Sequence, residues 1–501
     1  NSPKNYFVLL IILILIPFAT LGGASNLITF QGIRSRILLW GISTVCFLQA
    51  VYGFIQFQGW LPTNHSQFDI TGSFDNPAGF AAVLVMGFPI GLFLLAKAGK
   101  VERCIASAGL LVNSIVIFLS GSRAGVLAIL VSSVIFLLLQ PKIMSKFKQL
   151  RYLKLLSILI LGLLVSGASI LYYQKKDSAN GRLLIWKVSS KMIKDKPILG
   201  HGLGGFQAKY MDYQAEYFRT NQGSSFKMLA DNVKHPFNEF IKVAVEFGII
   251  GLAIVFSFGL FILWKIMNSK NENRDLVLSG LVSFMVFASF SYPLQYVAVW
   301  LFLAFYLLAL LPPKEKNKKH PRLSIGRAII VVGCALILFH FVKQIQAEIK
   351  WKTIAINSLR GNTEKMLPEY EKLYSTTLKQ NPFFLYNYGA ELNFAGHFDK
   401  SIEILSECQK KFNDYDLQML LADNYYRKGD SEKAIQIFMH AANMIPCRFL
   451  PIYQLFDIYR TEGQIDFAIK YANKIVNQKV KIESSTVIWI KAEAKEYLKG
   501  N

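Results

Sequence analysis

A histidine, a carboxylate and several arginines stand where apolar stretches of this chain meet polar ones, and their types suit proton transfer and anion binding. His235 lies in His235-Pro236-Phe237-Asn238-Glu239, directly ahead of a long apolar run. A neutral imidazole takes up a proton near neutral pH, so His235 is a candidate general base. Glu239, four residues on, would orient the ring if both share a helix face, although Pro236 disturbs that geometry. Arg123 occurs in Ser120-Gly121-Ser122-Arg123-Ala124-Gly125, a short turn between two apolar runs. A tight turn into a helix N-terminus exposes backbone N–H groups beside the guanidinium, which suits an anion. The other role open to Arg123 is that of a snorkelling anchor. Arg182, in Gly181-Arg182-Leu183-Leu184-Ile185-Trp186, could reach a phosphate at headgroup depth or make ordinary lipid contact. Gly200-His201-Gly202-Leu203-Gly204-Gly205 lacks the Lys-Ser or Lys-Thr and the preceding strand of a phosphate loop, so it reads as a turn. Asn76-Pro77 reads as a helix cap followed by a proline at the first helical position.

These residues are spaced along a chain built for a bilayer. Its 501 residues are 53% hydrophobic, above the usual soluble range. Ten apolar runs are long enough to span: about 5–24, 37–57, 78–96, 103–120, 123–140, 154–173, 238–264, 276–291, 294–311 and 326–345. The expected fold is all-α. It comprises a polytopic membrane helix bundle, a helical insert on one membrane face, and a soluble helical region after the last span. The divisions are 1–173 (membrane), 174–235 (insert), 236–345 (membrane) and 346–501 (soluble).

The net charge of +23 would suggest nucleic acid if it were evenly spread. It is not. Loops at 31–36, 97–103, 141–154, 265–274 and 314–327 hold 19 lysines and arginines, whereas the alternate short loops (58–77, 121–123 and 291–294) and the chain start hold only Lys4 and Arg123. This is the positive-inside asymmetry, and it places the insert and everything after about 346 on the outer face. The charge is topogenic, and nucleic acid is not an expected partner. The same scheme puts Asn1 outside, so one or more further spans are expected ahead of it.

Within the insert, Lys187, Lys191 and Lys194 form one stripe and Leu183, Leu184, Trp186, Met192 and Ile193 supply apolar surface. That pattern predicts a helix starting near Asn180-Gly181, ending at Lys196-Pro197, and lying flat on the membrane or solvated on its lysine face. The soluble region repeats: Gly396, Gly429 and Gly463 recur at 33- and 34-residue intervals, each ahead of a helical stretch with a small residue at Ser401, Ala434 or Ala468. This period resembles tetratricopeptide repeats, an α-solenoid of helix pairs that usually offers a surface to a protein partner. Of five cysteines, Cys408 and Cys447 could pair as a disulfide, but two buried thiols in a helical repeat is the preferred reading. No Cys or His spacing suits a metal.

Five segments in order resemble the O-antigen ligase and polymerase superfamily, which also includes protein O-oligosaccharyltransferases. They are Gly72-Ser73-Phe74-Asp75-Asn76-Pro77, Ser120 to Gly125, Arg182 to Trp186, Asp195 to Gly204 and Phe206, and His235 to Gly251. The resemblance implies a multi-pass protein of the bacterial inner membrane, with the insert and the repeats periplasmic. It implies transfer of a glycan from an undecaprenyl-pyrophosphate-type lipid to an acceptor hydroxyl, inverting, with no metal and no cofactor. His235 would be the base, aided by Glu239. Arg123 and Arg182, with Arg219 and Lys234 in reserve, would hold the pyrophosphate. Many relatives carry a histidine directly before the asparagine, where this chain has Phe237. The acceptor would be lipid A core, another glycan unit in a polymerase, or a protein. The competing class is a non-enzymatic transporter, or a scaffold presenting the repeats.

Overall fold

The computed structural model describes residues 33–141, 176–268, 273–310 and 325–500, and every regular element among them is helical. In chain order the first half holds α1 (Ile33–Phe57), α2 (Pro77–Lys97), α3 (Lys100–Leu119), α4 (Arg123–Leu139), α5 (Lys176–Asp195), α6 (Gly205–Thr220) and α7 (Glu239–Met267). There follow α8 (Arg274–Ala288), α9 (Val297–Leu308), α10 (Ile325–Asn357) and α11 (Thr363–Tyr374). The chain closes with α12 (Pro382–Phe394), α13 (Phe398–Gln409), α14 (Tyr415–Arg427), α15 (Ser431–Met444), α16 (Leu450–Thr461), α17 (Ile465–Asn477) and α18 (Ser485–Gly500).

Four of the described helices are long and apolar enough to cross a membrane: Arg36–Phe57, α2, α3 and α7. The shorter apolar helices are α4 and α9. The expected spans at 5–24 and 154–173 lie outside the described residues. The one expected at 326–345 falls in α10, which runs on without interruption through residue 346.

The chain divides into two compact units. The first comprises Asn1–Gln174, Phe237–Phe240 and Ala253–Val342. Its core is α2, apolar on every side and buried from Gly79 to Gly91, as expected of a helix enclosed by others. In a bilayer, lipid is as apolar as leucine, so close packing must hold helices together, and small residues permit it. A Cβ on Gly87 would stand 2.2 Å from Cys46 Sγ of α1, and one on Gly91 would stand 2.8 Å from Leu110 of α3. Ser283 of α8 donates to the Val85 carbonyl at 3.0 Å, and the Tyr306 hydroxyl of α9 donates to that of Met86.

The second unit comprises Lys175–Pro236, Ile241–Leu252 and Lys343–Asn501. In its C-terminal part Gly396, Gly429 and Gly463 each adopt a positive φ in the turn between two packed helices, a backbone conformation that glycine adopts without steric cost. Ser401, Ala434 and Ala468 are fully buried where those helices meet. Cys408 and Cys447 are separate buried thiols, in line with the preferred reading.

Two expectations for the insert need correction. Its first helix, α5, is already helical at Lys176, ahead of Asn180-Gly181. Much of its apolar face is covered by protein: Leu184, Val188 and Met192 are at most 1% exposed, packed under α6 and the Ser225–Leu229 turn, whereas Leu183 stays exposed. The lysine stripe is exposed as expected.

Candidate functional site

His235 sits at the end of an irregular segment that the second unit holds from several sides. Trp186 of α5 donates its indole N–H to the Pro236 carbonyl at 2.9 Å. Arg182, partly buried, lies one turn earlier on the same helix, so one element carries a candidate phosphate ligand and an anchor for the candidate base. Upstream, the Asn232 side chain donates to Asp416 at 2.9 Å and accepts the Tyr415 N–H at 3.1 Å. The Lys234 ammonium lies 5.3 Å and 5.6 Å from the ring centres of Phe383 and Phe412. Burial and the neighbouring charges of Lys242 and Lys234 push the His235 imidazole down to about 4. The ring is therefore neutral at physiological pH, the form in which it accepts a proton.

Helix α6 is joined to the C-terminal helices by polar contacts as well as packing. Asp212 accepts from Asn413 at 2.8 Å and bonds His440 at 2.9 Å, and the buried Gln214 amide donates to the Met444 carbonyl at 2.8 Å. Arg219 is exposed and ion-paired to Glu216, one turn earlier, at 2.7 Å. His201, in the Gly200–Gly205 turn, bonds the Met192 carbonyl at 3.0 Å and closes the end of α5.

The apolar run at 238–264 forms one helical element with a break at Gly248 (φ 61°, ψ −155°). The glycine-rich turn after α5 fills that break. Ile249 N–H donates to the Pro197 carbonyl at 2.8 Å, His201 N–H to Val245 at 2.8 Å, and Gly202 N–H to Glu246 at 2.9 Å. The buried Glu246 carboxylate accepts from the Phe206 and Gly204 N–H groups at the start of α6, where a negative charge complements the helix dipole. A Cβ on Gly248 would stand 2.2 Å from the Ile198 carbonyl oxygen, and one on Gly200 would stand 2.5 Å from the Glu246 carbonyl carbon. Both glycines also have positive φ, so neither site tolerates a side chain without strain. The reading of 200–205 as a turn agrees with the structure, but its docking on Glu246-Phe247-Gly248 was missed. The signal was there: a glycine inside an apolar helix pattern, opposite a second glycine cluster.

In the first unit, Arg123 is the first residue of α4, behind Ser122, whose hydroxyl accepts the Gly125 N–H at 3.2 Å. Asn76 caps α2 as expected, accepting from Ala78 at 2.8 Å and Gly79 at 3.3 Å, and it also accepts the Tyr296 hydroxyl at 2.8 Å. Glu239 was expected to orient His235. Its buried carboxylate accepts the Leu294 N–H at 2.9 Å, in the loop between α8 and α9. Beside it, Asn238 donates to the Ser289 carbonyl at 2.9 Å and the Phe237 ring meets Tyr292 edge-on. Phe237 has a φ of 54°, rare for a residue with a side chain. Among the described residues no three His, Cys, Asp or Glu side chains gather as a metal site.

Comparison with known proteins bears on the same stretch. Residues 108–256, from α3 through the break in α7, match the O-antigen ligase family. A protein of Rickettsia conorii with the provisional name polysaccharide ligase is 29% identical over 122 residues, which is 24% of this chain and 28% of that protein. A like-named protein of Rickettsia typhi is 26% identical over 145 residues, 28% of this chain and 33% of its own length. The one from Rickettsia felis is 30% identical over 122 residues, 24% of this chain and 29% of its own. The chain thus spans about a third or less of the length of each of these relatives. The matches make this stretch similar to the O-antigen ligase family and to these polysaccharide-ligase-named proteins, and the apolar helices support a membrane protein.

Proposed function

We propose that this chain is an inverting, metal-independent glycosyltransferase of the bacterial inner membrane, acting on the periplasmic face. Its donor is a glycan on an undecaprenyl-pyrophosphate-type lipid, and its acceptor is a hydroxyl of lipid A core or of a protein. The observation that carries the reading is His235, kept neutral beside two lysines and tied by Trp186 to the helix that bears Arg182. The acceptor O–H gives its proton to the His235 imidazole as its oxygen bonds to the anomeric carbon. The bond from that carbon to the pyrophosphate oxygen breaks, and the lipid pyrophosphate leaves with the electron pair.

Arg123 and Arg182 bind and neutralise the leaving group, with Arg219 in reserve if phosphate displaces Glu216. Positioned cations and one base are sufficient chemistry for a leaving group already this good. The donor's negative charge would offset the field of Lys234 and Lys242, raising the basicity of His235 only when substrate is bound. The C-terminal helices are assigned as tetratricopeptide-like repeats presenting a face to a partner or acceptor.

The test is transfer of a lipid-linked glycan in membranes at matched protein levels. His235→Ala, Arg123→Ala and Arg182→Ala should each abolish or cripple it. Transfer that survives all three removes the assignment and favours transport or scaffolding. The product separates a ligase, which modifies lipid A core or protein, from a polymerase, which lengthens the glycan.

A further inference from the structure

We propose that the second unit carries a separate binding site for an acidic sugar, in a cavity of about 460 Å³ between the insert and the C-terminal helices. It lies between the end of α6 with the Ser225–Leu229 turn on one side and α15, α16 and α17 on the other. Its volume falls within the range of about 300–1,000 Å³ usual for small-ligand sites. Three lysines line it, Lys227, Lys474 and Lys479, and no acidic side chain does. None of the three forms an ion pair with a described residue, although the same unit pairs many of its other lysines and arginines. Three like charges converging on one cavity repel, and an anion relieves that repulsion while accepting charge-assisted hydrogen bonds.

The remaining walls narrow the chemistry. Gln222, Asn443 and Asn477 offer amides, which pair with hydroxyls as both donor and acceptor. Met228 and Ile452 supply apolar surface that suits the C–H face of a sugar ring. Lysine is a mobile point charge rather than a planar fork, so the site accepts either a carboxylate or a phosphate substituent. The chemistry it selects is a hydroxylated ring bearing one anionic group. Substrate for this site would be an acidic unit of the transferred or accepting glycan. That last identification rests on the proposed function, whereas the binding itself does not.

The experiment is calorimetric titration of the full chain in detergent at low salt with three probes: an oligogalacturonate, a sugar phosphate and a neutral oligosaccharide of equal length. One or both acidic probes should bind, and the neutral one at least about tenfold more weakly. Lys227→Gln with Lys474→Gln should weaken acidic binding by about tenfold or more, the scale of losing one charged hydrogen bond. Lys474→Arg should retain it. Which acidic probe binds identifies the anionic group. Equal binding of the neutral probe, no binding of either acid, or acidic binding indifferent to the lysine changes would each overturn the site. His235→Ala should leave the titration unchanged, so failure of the transfer mechanism and failure of this site are separable.

Discussion

Four positions separate His235 from Glu239, yet the chain on either side of Pro236 is held by different things for different ends. Up to Pro236, the segment is fastened to the insert and the C-terminal helices through Asn232, Lys234 and the Trp186 indole. From Phe237 on, it is fastened to the loop after α8 through Asn238, Glu239 and the Phe237 ring. Sequence spacing suggested a base and its orienting carboxylate. The structure shows an imidazole kept neutral by burial and positive neighbours, and a carboxylate that accepts a backbone N–H. Spacing of i and i+4 says that two side chains share a face only where the helix is continuous, and here the helix begins at Glu239 itself.

The sharpest way to break that contrast is to remove each side chain and separate activity from stability. His235→Ala should lower glycan transfer by about 10²–10⁴-fold, the usual worth of a general base, with little change in thermal stability. If Glu239→Ala costs as much in transfer per folded molecule, the contrast fails. Its expected effect is instead on the fold, about 1–3 kcal/mol for an orphaned buried N–H at Leu294, read as a drop in unfolding temperature. Glu239→Gln, which keeps an acceptor, should recover most of that loss.

A pH series sharpens the same contrast. Burial and positive neighbours lower the folded-state pKa of His235 from 6.5 to about 4, so the unfolded chain protonates first. The associated stability is full above pH 6.5 and is lost as pH falls toward 4. His235→Gln should flatten thermal stability across that window. The acid limb of kcat/KM should likewise lie well below the ordinary histidine range.

The smallest effect belongs to Asn232→Ala. It deletes two hydrogen bonds worth about 1 kcal/mol each and loosens the approach to His235. A fall in kcat of severalfold with KM nearly unchanged would mark it as a positioning residue, and Asn232→Asp, which sets a second carboxylate against Asp416, should not rescue it.

What could be read from the residues alone were features with local causes. The Asn76-Pro77 cap, the turn at Gly200–Gly205 and the glycine turns at 396, 429 and 463 each follow from backbone chemistry within a few positions. What could not be read depends on remote partners. Nothing local in α5 says that Leu184 and Met192 are covered by protein rather than lipid, since both surroundings favour the same residues. Likewise α2 and α7 are both strongly apolar, yet α2 is enclosed while Ile254, Leu260 and Trp264 of α7 are exposed. The bond from the Leu294 N–H to Glu239 could not be read either, because a backbone donor has no side-chain signature.

The docking of the glycine turn into the break at Gly248 also limits how this chain can be recombined. Two stretches far apart in sequence share one hydrogen-bonded seam with no room for a methyl group on either side. A chimaera that imports 176–236 from a relative while keeping the native 241–252 would mate unmatched halves of that seam. Exchange should succeed only when 196–206 and 245–251 travel together, so these two stretches form one heritable part.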